Sequence, residues 1–148
     1  MTTHSLSYTQ LPAICDTQGV LIATCRYYPQ GQLLYITWSG NITSSEVIAV
    51  AESFLELQQY LPVALLLNDK TDATGDWSEA LPWLEYEWLP KATKGGLKAF
   101  AYVFSPDMRN QYVSLTFIEK ASHQLTIQDF HNPEEAFAWL LCQQPAQY

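Results

Sequence analysis

The pattern of apolar and polar residues divides the chain into alternating strands and helices. Two runs rich in β-branched and aromatic residues, 20–28 and 33–38, are separated by a turn from Pro29 to Gly31. This arrangement predicts a β-hairpin, because such runs favour strands and a Pro/Gly turn reverses the chain between them. The second strand is expected to stop at Ser39 and Gly40.

Helical and strand patterns alternate after the hairpin. Thr43 and Glu46 form a capping box, which predicts the start of a helix over residues 46–60. The continuous apolar run 63–69 is typical of a central strand covered on both faces, and the polar stretch 70–76 predicts a loop. Farther along, we expect an aromatic helix over 77–89, a strand over 98–104, a helix over 108–121, a strand over 125–130, and a last helix capped by Asn132 with Pro133 at its first position.

The positions of proline and glycine and the spacing of apolar residues predict further details of the helices. Pro82 is expected near the first turn of the aromatic helix, Pro90 should kink or restart it, and Gly95 and Gly96 should end it. In the helix over 108–121, the residues expected to face the core are those spaced three and four apart: Met108, Tyr112, Leu115, Ile118 and Ala121.

Together these elements predict a single α/β domain over residues 1–148. Right-handed crossovers after the hairpin would give a mixed β-sheet of about five strands with an N-terminal antiparallel hairpin, packed against about four helices. The length of 148 residues and the apolar fraction of 48% suit one domain with its own core. Residues 1–10 are polar and are expected to form a flexible N-terminal segment.

The charge balance restricts the partners of the domain. Seven basic residues stand against fifteen acidic ones, which gives a formal net charge of -8. Nucleic acid and anionic membrane surfaces would repel such a chain, so we expect neither as a partner. No apolar run approaches the roughly 20 residues needed to span a bilayer, and residues 1–10 lack an apolar signal core. We therefore expect a cytoplasmic protein without membrane insertion.

Several segments resemble those of the STAS/SEC14-type, SpoIIAA-like small bacterial proteins. They are the hairpin end at 38–40, the helix from Ser45, the strand and loop at 65–69, and the segments 83–90, 96–98 and 130–140. The resemblance covers about residues 20–141 and implies a SpoIIAA-like fold that serves as a noncatalytic regulatory module. In signalling members of the wider group, a partner kinase phosphorylates a Ser or Thr in the loop after a central strand. Thr71 is the nearest equivalent and Thr74 the next, although the loop lacks the paired serines of that group.

The sequence contains no recognisable catalytic constellation, so we predict no enzyme activity and no catalytic, cofactor-binding or metal site. The four acids Asp69, Asp72, Asp76 and Glu79 do not follow a calcium-loop spacing. His123 and His131 flank the last strand, but no nucleophile motif accompanies them. The three cysteines are far apart and form neither a disulfide framework nor a zinc motif.

The aromatic segment after residue 76 is the least ordinary feature of the sequence. We expect an interaction or ligand surface formed by Asp69, Trp77, Trp83, Tyr86 and Trp88. The first hypothesis is a module that binds a protein partner or a second copy of itself through residues 69–90, because Trp and Tyr anchor many interfaces. The alternative is a small carrier or sensor that holds an apolar, lipid-like molecule against these rings.

Overall fold

The computed structural model describes residues 6–144 of the chain. The strands are β1 (Thr9–Gln10), β2 (Ile14–Cys15), β3 (Leu21–Tyr28), β4 (Leu33–Asn41), β5 (Leu65–Thr74), β6 (Ala99–Val103) and β7 (Thr126–Phe130). The helices are α1 (Ser44–Gln58), α2 (Leu81–Trp83), α3 (Leu89–Lys94), α4 (Met108–Ala121) and α5 (Pro133–Leu141). A 3-10 turn, Ser78–Ala80, precedes α2, and a π-helical turn, Leu84–Trp88, separates α2 from α3.

The strands form one mixed sheet in the order β1-β3-β4-β5-β6-β7, with β2 also paired to β3. The hairpin of β3 and β4 is antiparallel, whereas β4, β5, β6 and β7 run parallel to one another. The predicted α/β class and mixed sheet are therefore confirmed, with β1 and β2 added beside the hairpin. Residues 9 and 10 of the expected flexible segment form β1, and residues 1–5 lie outside the described part of the chain.

The helices cover the two faces of the sheet unequally. One face, called here the helix-rich face, packs against α1, the helical segment 78–94 and α4 around a core that includes Phe54, Trp88 and Phe117. The opposite face is covered by α5, whose Phe137 and Leu140 are buried in a second, smaller core. Each parallel strand is thus joined to its neighbour through a crossover on the helix-rich face.

Both β4 and β5 run past the ends expected from the sequence. The prediction that β4 stops at Ser39 and Gly40 is wrong, and so is the predicted loop over 70–74, because these two stretches pair with each other in parallel. The register brings Gly40 opposite Ala73 and Asn41 opposite Thr74. The polar composition of residues 70–74 concealed a strand that the ladder with β4 stabilises.

The predicted core-facing stripe of α4 is confirmed at Ala121, and Ile118 packs against the core, but the other three residues are exposed. Met108, Tyr112 and Leu115 are 83%, 73% and 48% exposed. The buried face instead holds two polar residues, Asn110 and Ser114, together with apolar residues of the same turns. The Asn110 amide donates to the Gly75 carbonyl at 3.2 Å, and the Ser114 hydroxyl bonds to the Tyr102 hydroxyl at 2.9 Å. Partners for these polar groups, which spacing does not reveal, select the buried face.

The aromatic helix is a series of short helical pieces. Pro82 lies in the first turn of α2, where the missing backbone donor leaves no bond unmade. Pro90 lies just after the π-helical turn, and the backbone stays helical through Trp88 and Leu89, so the expected restart at Pro90 is not seen. The helix ends before Gly95 and Gly96 as predicted. The π-helical turn between the pieces was not expected; such turns are rare and occur frequently at functional sites.

We predict that Gly75→Ala destabilises the junction between β5 and α4 far more than Gly96→Ala does. Gly75 has a φ of +103°, its N–H donates to the Asp107 carboxylate at 2.8 Å, and an added Cβ would lie 2.6 Å from the Ile42 carbonyl oxygen. Strain and overpacking together should remove about 3 kcal/mol of unfolding free energy. Gly96 has a φ of +117° but open space around it, so Gly96→Ala should cost only about 1 kcal/mol.

Urea unfolding of both variants measures the difference. Equal losses of unfolding free energy in the two variants would contradict the close packing at Gly75.

Candidate functional site

Lys70 is the most unusual residue of the structure, because its side chain is only 1% exposed. It follows Leu66 and Asn68 at every second position of β5, so all three side chains point to the helix-rich face. The pairing of β5 with β6 ends one residue earlier, at Asp69. Lys70 therefore lies at the carboxyl end of the parallel strands, the place where open α/β sheets usually bind ligands.

A β-bulge adjoins Lys70. In the ladder with β4, Thr37 is opposite Asp69 but Ser39 is opposite Asp72, so β5 contains one extra residue at this point. Bulges redirect side chains and are over-represented next to active sites. Residues three positions apart on a regular strand point to opposite faces, but because of the bulge both Lys70 and Ala73 point to the helix-rich face.

Three aromatic rings surround the Lys70 amine. Its Nζ lies 3.6 Å from the ring centre of Trp77, 4.9 Å from that of Trp38 and 5.3 Å from that of Tyr102. Among residues 6–144, no carboxylate forms an ion pair with this amine. The amine is thus enclosed by apolar and aromatic groups without a compensating charge.

Burial holds the pKa of the Lys70 amine well below its usual value of 10.5, because the charged form loses its hydration in the core. The aromatic faces attract a cation and oppose this effect, by up to about 2 kcal/mol for a ring in close contact. All three rings lie within the roughly 6 Å over which this attraction acts, whereas removing an ammonium from water costs several kcal/mol. The net effect lowers the pKa, so Lys70 loses its proton more readily than an exposed lysine does.

Other polar groups near Lys70 are held in a fixed arrangement. The Trp38 indole N–H donates to the Asn68 side-chain oxygen at 2.5 Å. Burial raises the pKa of Tyr102, an effect that hydrogen bonds with Ser114 and Asn68 partly offset. The buried Trp77 indole N–H finds no acceptor among the described residues.

These side chains line a cavity of about 50 Å³ between the sheet and the helices. Its aromatic walls include Trp38, Trp77, Trp88, Phe100, Tyr102 and Phe117. Asn68 and Lys70 are the polar side chains of the wall other than Tyr102 and the indoles. A water molecule needs about 10–15 Å³ measured in this way, so the cavity holds about three to five waters or a ligand of similar size.

The residues expected to form a surface are divided by the fold. Trp77 and Trp88 are buried in the cavity wall, and the Trp88 indole donates to the Ala51 carbonyl at 2.8 Å. Trp83 is half-buried and Tyr86 is 71% exposed. Within the expected surface, only these last two side chains are accessible to a protein partner.

Asp69 and Thr71 belong to the opposite face of β5. The buried Asp69 carboxylate accepts hydrogen bonds from the Tyr35 hydroxyl at 3.2 Å and from the Thr71 backbone N–H and hydroxyl at 3.0 and 2.5 Å. Thr71 is exposed but lies in the strand, and not in the expected loop. A phosphate on Thr71 would be repelled by Asp69, and it would remove the hydrogen bond that the Thr71 hydroxyl donates to this carboxylate. Phosphorylation of Thr71 stays a prediction.

The remaining candidate residues are not brought together. Asp69 faces away from Asp76 and Glu79, which line a shallow polar hollow beside the start of α1. Within residues 6–144, no three metal-ligating side chains form a group. His123 and His131 are both exposed. No helix of this described part is long and apolar enough to cross a bilayer.

Sequence reasoning missed Lys70 because lysine is rarely buried and residues 70–76 have the composition of a loop. One signal was available. The buried run 63–69 places every second side chain on one face, and Lys70 follows Leu66 and Asn68 in this alternation. Trp38 lies near the end of β4, and Trp77 follows the end of β5. If the predicted strand 63–69 is extended by one residue, this alternation places the Lys70 side chain on the buried face.

Comparison with known proteins assigns no family to the chain. No protein-family model matches it, and no curated protein matches it. The function must therefore be argued from the chemistry of the Lys70 site.

We predict that Lys70→Met stabilises the protein most at low pH. The unfolded chain keeps a proton on this amine up to its usual pKa, whereas the folded chain releases it at lower pH. The free energy of unfolding of the wild type therefore increases with pH, by up to about 1.4 kcal/mol per pH unit. Lys70→Met should remove this pH dependence.

Urea unfolding of both proteins between about pH 6 and pH 8.5 measures the difference in slope. The window ends below the usual pKa of Cys25, 9.0, because burial raises the pKa of that thiol to about 11 and adds an opposite slope. Lys94→Met removes an exposed lysine and should leave the slope unchanged. Equal slopes in the wild type and Lys70→Met would show that the buried amine stays charged.

Proposed function

We propose that the chain is a noncatalytic binding module with a SpoIIAA-like fold, which senses a small molecule held in the Lys70 cavity. The order of elements supports this fold: an antiparallel hairpin is followed by three parallel strands, each beside the last, with helices between them. We also propose a cytoplasmic location, which the free thiols of Cys15, Cys25 and Cys142 support, since thiols stay reduced there.

The observation that carries the proposal is the uncompensated buried amine beside a cavity. For stability alone, an apolar side chain of similar length would serve better at this position, because a buried amine without an acceptor costs several kcal/mol. A titratable group with a strongly shifted pKa, in a cavity with few polar groups, is typical of a functional site. Lys70 and Asn68 are the polar side chains that such a site contains besides Tyr102 and the indoles.

The volume of the cavity restricts the ligand. Sites for drug-sized molecules occupy about 300–1,000 Å³, far more than the roughly 50 Å³ here. The geometry therefore favours a molecule of about three to five non-hydrogen atoms over the lipid-like ligand of the sequence hypothesis. Aromatic walls with an amine and an amide at one side suit a molecule with an apolar body and one polar oxygen.

The cavity wall connects a bound ligand to the protein surface. The π-helical turn contributes Leu84 and Trp88 to the wall and presents Tyr86 to solvent. A ligand that packs against Leu84 and Trp88 would favour one arrangement of this turn and so fix the position of Tyr86. Binding inside the cavity would thereby be reported on the surface where a partner docks.

We predict that propan-1-ol, used as a probe of suitable size, binds in the cavity and that Val47→Phe prevents its binding. Val47 lines the cavity, and the ring of the variant adds about as many atoms as the cavity holds. Ala49→Phe adds a larger group on the exposed side of α1 and should preserve binding.

Two-dimensional NMR of the tryptophan indole N–H groups measures this binding. Saturable shifts are expected for Trp38, Trp77 and Trp88, which line the cavity, and not for Trp83 and Trp139, which do not. Shifts of equal size at all five indoles, or shifts that persist in Val47→Phe, would contradict binding in the cavity.

A second candidate function is self-association through the exposed stripe of α4. Met108, Tyr112 and Leu115 form an apolar row that the sequence placed in the core but the fold leaves in solvent. The row lies close to the 69–90 segment, since Met108 and Tyr112 share a surface hollow with Asp76 and Ser78. Exposed apolar rows of this kind are typical of interfaces.

We predict that Tyr112→Glu lowers the association of the protein with itself, because a charge would have to be buried in the apolar row. Sedimentation velocity over a range of concentrations measures association. Ala49→Glu places the same charge on the exposed side of α1, so this variant should associate with itself as the wild type does. A wild type that stays monomeric at every concentration would reject this candidate.

A further inference from the structure

We propose that Lys70 captures a short aliphatic aldehyde or ketone as a reversible imine inside the cavity. This inference rests on the proposed function and names the chemical class of its ligand. It is carried by the position of the amine, which is fully buried, ends in an aromatic cavity and has no carboxylate beside it among the described residues.

The environment of Lys70 provides the nucleophile that imine formation needs. Only the neutral amine has a free electron pair, and exposed lysines at neutral pH are almost entirely protonated. Burial in an apolar site is an established means of activating a lysine toward carbonyl compounds. The exposed lysines of the chain, such as Lys94, lack this environment.

The reaction balances without a further reactant. The Lys70 nitrogen donates its electron pair to the carbonyl carbon, the C=O π electrons move to oxygen, and one proton passes from nitrogen to that oxygen. The resulting carbinolamine then loses its hydroxyl group and the second nitrogen proton as water, and a C=N bond forms.

Charge and size favour a small neutral carbonyl over a small carboxylate, the other ligand that an amine could bind. An anion would have to be transferred into apolar walls, and the chain, with its net charge of -8, repels anions before they arrive. A neutral aldehyde of three to five non-hydrogen atoms avoids both costs. Its carbonyl would lie next to Lys70, and its alkyl part would contact Trp38 and Trp88.

Reductive trapping of the full chain with propanal tests the inference. Cyanoborohydride reduces an imine to a stable secondary amine, so each captured propanal leaves one propyl group on nitrogen. Near neutral pH and at a low ratio of aldehyde to protein, peptide mapping should place at least about tenfold more propyl label on Lys70 than on Lys94 or Lys98, because the lowered pKa of the buried amine gives it a larger neutral fraction than the exposed lysines have. Unfolding in urea should abolish this preference.

Two variants give matched controls. Lys70→Met should lose the preferential label while its exposed lysines react as before, and Lys94→Met should keep the label on Lys70. Label spread over the exposed lysines of the folded wild type, with Lys70 unmodified, would overturn the inference. That result together with propan-1-ol shifts at Trp38, Trp77 and Trp88 would leave the binding cavity intact and reject only the imine. Loss of both the label and the shifts would reject the proposed function as well.

Discussion

The burial of one amine at the end of β5 is the constraint on which the helix-rich face depends. No carboxylate among residues 6–144 pairs with this lysine, and burial lowers the pKa of its amine. The surrounding rings take the place of bulk solvent, and the face of Trp77 lies against the amine at 3.6 Å. The hydrogen bond from Trp38 to Asn68 and that between Ser114 and Tyr102 pair the neighbouring polar groups with one another.

The Lys70 amine lies in a cavity lined by residues of the strands, of helices α1 and α4, and of the π-helical turn. β5 lies in the middle of the sheet and sends Leu65 and Leu67 toward α5, while its alternate residues face the cavity. Because the pairing with β6 ends at Asp69, β5 is paired beyond this residue only with β4, on its other side. The β-bulge on the strand and the π-helical turn above it are the two backbone irregularities at the cavity, and both types are associated with functional sites.

Local signals made much of the fold predictable. The capping box at Thr43 and Glu46 and the cap at Asn132 are present with the expected hydrogen bonds, because such caps depend only on adjacent residues. The burial of Lys70 and the buried face of α4 depend on partners distant in sequence, such as Tyr102 for Ser114, and spacing alone cannot reveal them. Composition was misleading at residues 70–74, where a strand with polar residues resembles a loop.

The small volume of the cavity explains why a sensor at this site would use a covalent bond. Even the best small ligands gain no more than about 1.5 kcal/mol per non-hydrogen atom, so a molecule of three to five atoms reaches about 5–7 kcal/mol at most. That ceiling corresponds to dissociation constants between micromolar and millimolar, too weak for a ligand to remain bound at low concentration. An imine with Lys70 adds binding energy without adding volume. In the proposed sensor, the cavity and the amine would act together, since neither would retain so small a molecule alone.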